Sequence, residues 1–406
     1  MTPTTPANGL LARLRQQMSP RLPRRRTRTT APAVCQPQNA LSATHSAALA
    51  AFPEVLTSSE DTARQELEAR GQFLARQDRW DDLGAEIRAA DQARLRTPGG
   101  AAHCDLLARG ARLDVVAPVQ QILSDATLMP QHAPRGGIEQ LEAQLDEFPD
   151  DYGVALVIVK AHVDLAWAWR GEDWQDALPA ARLTSFQRHM ARAEEILDRF
   201  NPFEHDSPAL AACRCALLAA AVEPDVRMAD DYEDLIDLDP ANPRHMRAFG
   251  NHLLPRWFGS YQMLEVEARR IALMTQDLWG AGGYAWVYLD ALSVDPGALE
   301  LLDGEFFLEG MRDILERAPD QHVVNTWAAF CAVTLAELPA HRRATREVLR
   351  LLRSALEWIQ RDHLEELHPL IWGQAKMGLK PARLDTSLEA IADMGRTAAR
   401  NALAPA

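Results

Sequence analysis

The chain has 406 residues, of which 47% are hydrophobic and 25% charged, as in an ordinary globular protein. Lys and Arg number 43 against 57 Asp and Glu, so the net charge is −14. No window holds 18 consecutive uncharged apolar residues, and the five cysteines are scattered, so we expect neither a membrane span nor a disulfide framework.

Residues 1–46 form the first predicted element, a disordered basic arm. No acidic residue precedes Glu54, whereas seven arginines do: Arg13, Arg15, Arg21, Arg24, Arg25, Arg26 and Arg28. The arm is too poor in large apolar groups to offset its ordering entropy. We expect a solvated tail, or a start assigned upstream of the true initiator. An anionic membrane surface or a nucleic acid stays open as an alternative partner of the arm.

The N-terminus lacks the uninterrupted apolar core of a signal peptide, because arginines interrupt the segment "GLLARLRQQM". Together with the odd number of cysteines, this predicts a reducing, cytoplasmic location. Lysine occurs only at Lys160, Lys376 and Lys380, and the remaining basic residues are arginines. This bias is typical of a GC-rich bacterial genome, so we expect a bacterial protein.

Residues 47–130 are predicted to form helical hairpins. Leu67, Phe73 and Leu74, and then Leu83 and Ile87, recur at helical spacing, and "QDRWDD" makes the turn between the two helices. The Pro- and Gly-containing stretch "MPQHAPRGG" at 129–137 reads as a linker. We therefore place a domain boundary there.

Residues 138–335 repeat one pattern, in which an acidic and apolar helix ends at a proline and a second, Ala-rich helix follows. The prolines are Pro149, Pro202, Pro240 and Pro319, with separations of 53, 38 and 79 residues. Proline ends a helix by removing a donor, and a hairpin buries its apolar face only against neighbours. The pattern predicts an all-α solenoid of helix hairpins, followed by C-terminal helices at 336–406.

The segment "LIDLDPANPRHMRAFG" looks like the junction between two tetratricopeptide repeats, and "FLARQDRWDDL" resembles the turn within such a repeat. Residues 150–290 resemble an uncharacterised bacterial group of tetratricopeptide-like proteins that has a Pro-Arg-Trp-Gly-Gly-Ser turn. Here the turn is Pro255–Ser260, and Phe258 departs from the small residue of the group. The resemblance implies a helical fold and a protein-interaction role, and it supplies no catalytic residues.

Metal-binding patterns are weak in this chain. His363 and His368 are five residues apart, whereas a zinc protease helix needs a separation of four. Cys213 and Cys215 point in different directions on a helix, and no second cysteine pair accompanies them. The consecutive residues His103-Cys104-Asp105 do not converge on one ion. We therefore expect core or surface roles for these residues and no bound metal.

Catalytic and cofactor motifs are equally weak. The chain has no G-x-S-x-G sequence and no Walker A loop. Gly280, Gly282 and Gly283 in "LWGAGGYAW" lack a preceding strand and the dinucleotide-binding spacing, so we interpret them as a tight helix junction. No catalytic residue and no cofactor is predicted.

The stretch "HLLPRWFGSYQML" at 252–264 joins two predicted helices. Pro255 ends the first helix, and Gly259-Ser260 ends the turn and caps the second. We interpret Arg256 and Trp257 first as part of this joint. Because Trp and Arg are enriched at binding hot spots, a partner groove stays open as an alternative role. Its candidate partner-binding residues are Asn251, Arg256, Trp257, Tyr261 and Tyr284.

The function that these patterns favour is a non-catalytic cytoplasmic scaffold. Its solenoid surface would bind a peptide or helix of another protein, and basic segments would suit the acidic body. Two alternatives stay open. In the first, the Trp- and Gly-rich segment 279–288 forms a small-molecule-binding or enzymatic site. In the second, the chain is a peripheral membrane protein or a nucleic-acid-binding protein that the Arg-rich arm tethers to its target. The oligomeric state is not predicted.

Overall fold

The computed structural model describes residues 52–124, 136–171, 179–339, 341–378 and 387–403. Within these ranges the regular structure is helical, apart from two isolated β-bridges. The predicted all-α class is therefore confirmed. The predicted arm at 1–46 lies outside the described residues.

The helices are given in chain order. In the first half they are α1 (Ser59–Arg76), α2 (Trp80–Gln92), α3 (His103–Ser124), α4 (Gly136–Glu147), α5 (Tyr152–Arg170), α6 (Ala180–Leu197), α7 (Pro208–Leu217), α8 (Pro224–Leu238) and α9 (Pro243–His252). In the second half they are α10 (Tyr261–Met274), α11 (Gln276–Trp279), α12 (Gly282–Val294), α13 (Gly304–Arg317), α14 (Gln321–Ala329), α15 (Leu335–Glu337), α16 (Arg343–Arg353), α17 (Ala355–Asp362), α18 (Pro369–Met377) and α19 (Leu388–Leu403).

The chain divides into two compact units. Of the described residues, the larger unit comprises those within 57–254 and 258–323, and the smaller comprises those within 52–56, 255–257 and 324–403. In the larger unit α1 packs on α3, α5 packs on α3 and α6, and α12 packs on α9, α10 and α13. The predicted boundary at 129–137 falls inside this unit, largely at residues outside the described ranges.

Helix α5 is a long and strongly apolar helix of the larger unit. Asp151 caps it by accepting from the Gly153 N–H (2.8 Å), and it ends at Gly171 with φ +75°. It is the one described helix that is long and apolar enough to span a membrane, and 67% of that stretch is buried inside the protein. Burial against neighbouring helices accounts for its composition.

The four prolines of the predicted pattern all lie in connections between helices. Pro149 follows α4, Pro202 follows α6, Pro240 follows α8 and Pro319 follows α13. The predicted alternation of helix, proline and helix is therefore confirmed. Stacking of these pairs into a solenoid stays a prediction.

The smaller unit is organised around a buried asparagine. The Asn325 side-chain oxygen accepts from the His368 backbone N–H and from the Trp372 indole N–H, both at 3.0 Å. Its amide donates to the carbonyl of Glu366 at 2.9 Å. These bonds hold the start of α18 against α14, and α18 packs closely on α19.

Candidate functional site

A small cleft with several polar lining residues, here called the polar cleft, opens on the larger unit. It holds about 20 Å³ of space for a water-sized molecule, within about 310 Å³ that includes open solvent. The C-terminal ends of α2 and α8 and the N-terminal ends of α3, α7 and α9 surround it. Its charged and polar lining residues are Asp91, Arg94, Arg96, Cys104, Asp105, Asp239, Asn242 and His245. Helix ends carry unsatisfied backbone groups and capping side chains, so their meeting concentrates polarity on one concave surface.

The "TPGG" turn fixes the start of α3 beside the cleft. The Ala101 N–H donates to the Thr97 hydroxyl at 3.0 Å, which closes the turn. The Gly99 N–H donates to a carboxylate oxygen of Glu60 on α1 at 2.8 Å, which anchors the turn. The first turn of α3 consequently brings Asp105 to the cleft.

Helix α9 begins at the same cleft. The side-chain oxygen of Asn242 accepts from the Arg244 N–H at 3.1 Å, and Pro243 takes the first helical position, where no donor is needed. These two start signals place Arg244 and His245 in the first turn, and His245 lines the cleft.

Asp91 and Arg94 hold one wall of the cleft in place. Asp91 is 2% exposed and accepts from the Ser207 hydroxyl and from the Ala209 N–H, the latter at 3.1 Å, so it caps α7. Burial raises the pKa of Asp91, although these bonds oppose the rise. Arg94 donates to carbonyls at the ends of α2 and α8 and to the carbonyl of Asp206. These two residues therefore have structural roles.

Asp239 forms the centre of a second polar group. It accepts from Arg96 at 2.5 Å, and His245 Nε2 lies 3.6 Å from its other oxygen. Burial alone would raise the pKa of Asp239, but the contact with His245 and the charge of Arg96 outweigh burial and lower it. Asp239 is therefore ionised at neutral pH.

Asp105 and Lys160 form an ion pair beside the cleft, with 2.9 Å between Lys160 Nζ and an Asp105 oxygen. Burial alone would lower the pKa of Lys160, but the charge of Asp105 overcomes it and raises the pKa. Burial likewise opposes ionisation of Asp105, whose pKa is nonetheless lowered by Lys160, Arg112 and His245. Both groups are therefore charged at neutral pH.

Several buried polar atoms around this pair have no hydrogen-bond partner. They are Glu60 Oε1, Arg112 Nη1, Arg244 Nε and His245 Nε2. The Glu60 oxygen is 3.5 Å from Arg64 and 3.9 Å from Arg244, and both separations exceed hydrogen-bonding distance. Arg112 is 8% exposed and bonds Asp164 at 2.7 Å through Nε alone. Each of these atoms keeps the capacity for a further hydrogen bond.

The chemistry available at the cleft is hydrogen bonding and ion pairing. Burial raises the pKa of Cys104 and of Cys213, the latter despite the nearby charge of Lys160, so both stay thiols, which are poor nucleophiles. Across the described ranges, no group of three or more His, Cys, Asp or Glu side chains is placed to hold a metal ion. The charged and polar side chains of the lining can form hydrogen bonds and ion pairs.

Two of the predicted partner-binding residues lie in the interior contacts of the larger unit. Tyr261 is half-buried, and its hydroxyl donates to Asp295 at 3.0 Å. Tyr284 is 0% exposed, and its hydroxyl donates to Glu265 at 2.6 Å. A fully buried ring has no surface to offer, so Tyr284 does not belong to a partner-binding surface.

The other three predicted residues divide between the units. Asn251, in the larger unit, has a buried side-chain oxygen without a hydrogen-bond partner. Arg256 and Trp257 are half-buried and belong to the smaller unit. The structure does not bring the predicted set together on one unit.

The joint interpretation of "PRWFGS" is confirmed. Helix α9 ends at His252, and α10 begins at Tyr261 after Ser260, whose hydroxyl accepts from the Met263 N–H at 3.2 Å. A Cβ at Gly259 would lie 2.3 Å from the carbonyl oxygen of Leu253, so only glycine fits there.

The glycines of "LWGAGGYAW" form the predicted helix junction. Gly280 has φ +58°, in the region that favours glycine, and ends α11. The next N–H, of Ala281, donates to Asp313 at 2.6 Å, and the Trp279 indole donates to the carbonyl of Pro240 at 3.0 Å. The side chains of 279–288 are thus engaged in packing and in holding the junction.

The cleft is not predictable from the sequence patterns. Cys104 and Asp105 fit core or surface roles, and no motif singles out Arg112, Arg244 or His245. One signal points to buried charge. Lys160 stands inside the otherwise apolar run "YGVALVIVKAHV", where a lysine needs a buried partner.

Comparison of the chain with models of known protein families, with curated proteins and with solved structures finds no match.

Proposed function

We propose that this chain is a non-catalytic cytoplasmic scaffold that binds a segment of a partner protein in the polar cleft. The observation that carries the proposal is a set of buried atoms without hydrogen-bond partners, at His245 in the cleft lining and at Glu60, Arg112 and Arg244, which are not lining residues but adjoin it. Leaving such atoms unpaired costs about 1–3 kcal/mol each, so a ligand that pairs them gains affinity.

An extended peptide suits this set of atoms. Its carbonyl groups offer acceptors for Arg112 and Arg244, and its N–H groups offer donors for Glu60 and for Asp105, whose side chain is 46% exposed. The net charge of −14 favours partners that carry Lys or Arg next to the bound segment. We also propose a tetratricopeptide-like stacking of the helix pairs, because stacked helix hairpins present extended surfaces that bind peptides.

Arg244 gives the sharpest test of this proposal. Its side chain is 41% exposed, and Glu60, its ion-pair partner among the described residues, is 3.9 Å away and also faces Arg64. Arg244→Met keeps the apolar stem and removes the donors. We expect it to weaken binding of the partner peptide by about tenfold to a hundredfold, the loss of one charge-assisted hydrogen bond.

The partner is identified first by affinity purification of the tagged chain, followed by a scan of its overlapping peptides. The affinity of the bound peptide is then measured by titration calorimetry. Arg109→Met is the matched control, because Arg109 also forms a loose pair with a glutamate, Glu68, at 3.6 Å, whereas Arg244 directly precedes the cleft residue His245 and donates its N–H to the cleft residue Asn242. Equal affinities of the Arg244→Met and Arg109→Met variants would contradict the cleft as the binding site.

A further inference from the structure

The smaller unit presents a row of arginines on helix α16. Leu349 and Leu352 are buried and fix this amphipathic helix to its unit. Arg346, Arg350 and Arg353, here called the arginine stripe, are exposed. Their spacing of four and three residues puts them on one face of the helix, over a length of about 10 Å. Within the described chain no carboxylate lies at ion-pair distance from them.

The larger unit presents the opposite charge on helix α8. Asp230, Asp234 and Asp237, here called the aspartate stripe, are exposed and also follow a spacing of four and three residues. Among the described residues, no Arg, Lys or His forms an ion pair with them. The pKa of Asp234 is raised, by partial desolvation and then by the neighbouring acidic residues.

The two stripes match residue for residue. With the helices parallel, Arg346 faces Asp230, Arg350 faces Asp234, and Arg353 faces Asp237, because successive charges rise by the same distance on both helices. The surface beside the aspartate stripe also carries two strongly exposed apolar side chains, Val222 (83%) and Val226 (72%). An approaching helix would cover them.

We propose that two copies of this chain associate, with the arginine stripe of one copy against the aspartate stripe of the other. The contact is electrostatic, so its strength falls as salt screens it. It is independent of the polar cleft, because neither α8 nor α16 contributes a stripe residue to the cleft lining.

A nucleic acid fits the arginine stripe less well. One helix face of about 10 Å reaches only two or three phosphates, which gives weak binding at physiological salt. The rest of the chain, with a net charge of −14, repels a polyanion. The aspartate stripe, in contrast, supplies an opposite charge for each arginine.

Sedimentation equilibrium of the full chain tests the proposal. We expect the wild type to exceed the mass of one chain, 45.1 kDa, in about 0.01 M salt and to return to that mass in about 1 M salt, where the screening length falls from about 30 Å to about 3 Å. Arg346→Glu with Arg350→Glu and Arg353→Glu reverses one stripe. Asp230→Arg with Asp234→Arg and Asp237→Arg reverses the other.

Each reversed variant should stay at 45.1 kDa alone, because both of its stripes then carry the same sign. An equimolar mixture of the two should associate again, because every contact between the different variants is complementary. If the Arg→Glu variant does not fold, a second variant replaces the same three arginines by Ala, the best helix former. It lacks the positive charges, so it should also stay at the mass of one chain.

Two results would overturn the proposal. One is a wild type that stays at 45.1 kDa in low salt, including the case in which it binds a single-stranded oligonucleotide through the arginine stripe. The other is a mixture of folded variants that fails to associate while the wild type does. Circular dichroism of each variant establishes that it is folded.

Discussion

Lys160 has an unusual position among the side chains of the larger unit. It lies on α5 between buried neighbours, with 17% of its side chain exposed, whereas its partner Asp105 keeps 46%. Their environments therefore differ, although they share one ion pair. The Asp105 oxygen that faces Lys160 is buried, so the exposed part of the aspartate is the rest of its side chain, whereas the ammonium group depends on the carboxylate as its counter-ion.

This asymmetry predicts an order of stabilities. Asp105→Asn leaves a lysine charge buried without its counter-ion, and we expect a loss of about 1–3 kcal/mol in the free energy of unfolding. Lys160→Met leaves a carboxylate that retains water and the nearby charge of Arg112, so its loss should be smaller. Urea unfolding at neutral pH measures both, with Asp146→Asn as the control at an exposed position. A larger loss for Lys160→Met would contradict this description of the pair.

At the scale of helices, α1 and α3 approach each other through glycines. A Cβ at Gly71 would lie 2.0 Å from the carbonyl oxygen of Leu107, and one at Gly110 would lie 1.9 Å from that of Glu68. Each helix thus places its glycine against the backbone of the other. The close approach gives this pair its extensive contact.

Gly110→Ala should therefore destabilise the protein, by about 1–3 kcal/mol, because the added methyl group overpacks the crossing. Alanine is the better helix former by about 1 kcal/mol, so a crossing with room for the methyl group would give the opposite sign. Gly136→Ala is the matched control, since a Cβ at Gly136, at the start of α4, meets nothing within 4 Å. The urea concentrations at the unfolding midpoints of the two variants, compared with that of the wild type, show whether Gly110→Ala destabilises or stabilises the protein.

The sequence predicts the helix boundaries of this fold better than its contacts. Ser260 and Pro149 mark helix ends because capping and proline act on adjacent backbone groups. The crossing at Gly71 and Gly110, and the meeting of Asp105 with Lys160, depend on which helices become neighbours. No pattern within a single helix encodes that choice, so the sequence does not predict the polar cleft. The all-α class is confirmed because it depends on patterns within each helix.

Over the larger unit as a whole, a pair of buried histidines links stability to pH. His162 on α5 is 2% exposed, His189 on α6 is 7% exposed, and their Nδ1 atoms lie 2.9 Å apart. His162 Nε2 is 3.0 Å from Glu142 on α4. Burial, and then the charges of Arg188 and other neighbouring groups, lowers both pKa values to about 4. Both imidazoles are therefore neutral in the folded protein at pH 7.

The unfolded chain binds protons at these histidines below a pH of about 6.5, whereas the folded chain does so only near pH 4. The free energy of unfolding should therefore fall as the pH drops from about 6.5 to about 4, by up to about 1.4 kcal/mol per pH unit for each histidine. Urea unfolding at several pH values measures the slope. The lowered pKa values of Asp105 and Asp239 act below this window, whereas His252, whose pKa burial also lowers to about 4, acts within it. Replacing His162 and His189 by Leu should therefore reduce the slope and leave the part that is due to His252. An unchanged slope in that variant would assign the pH dependence to other groups.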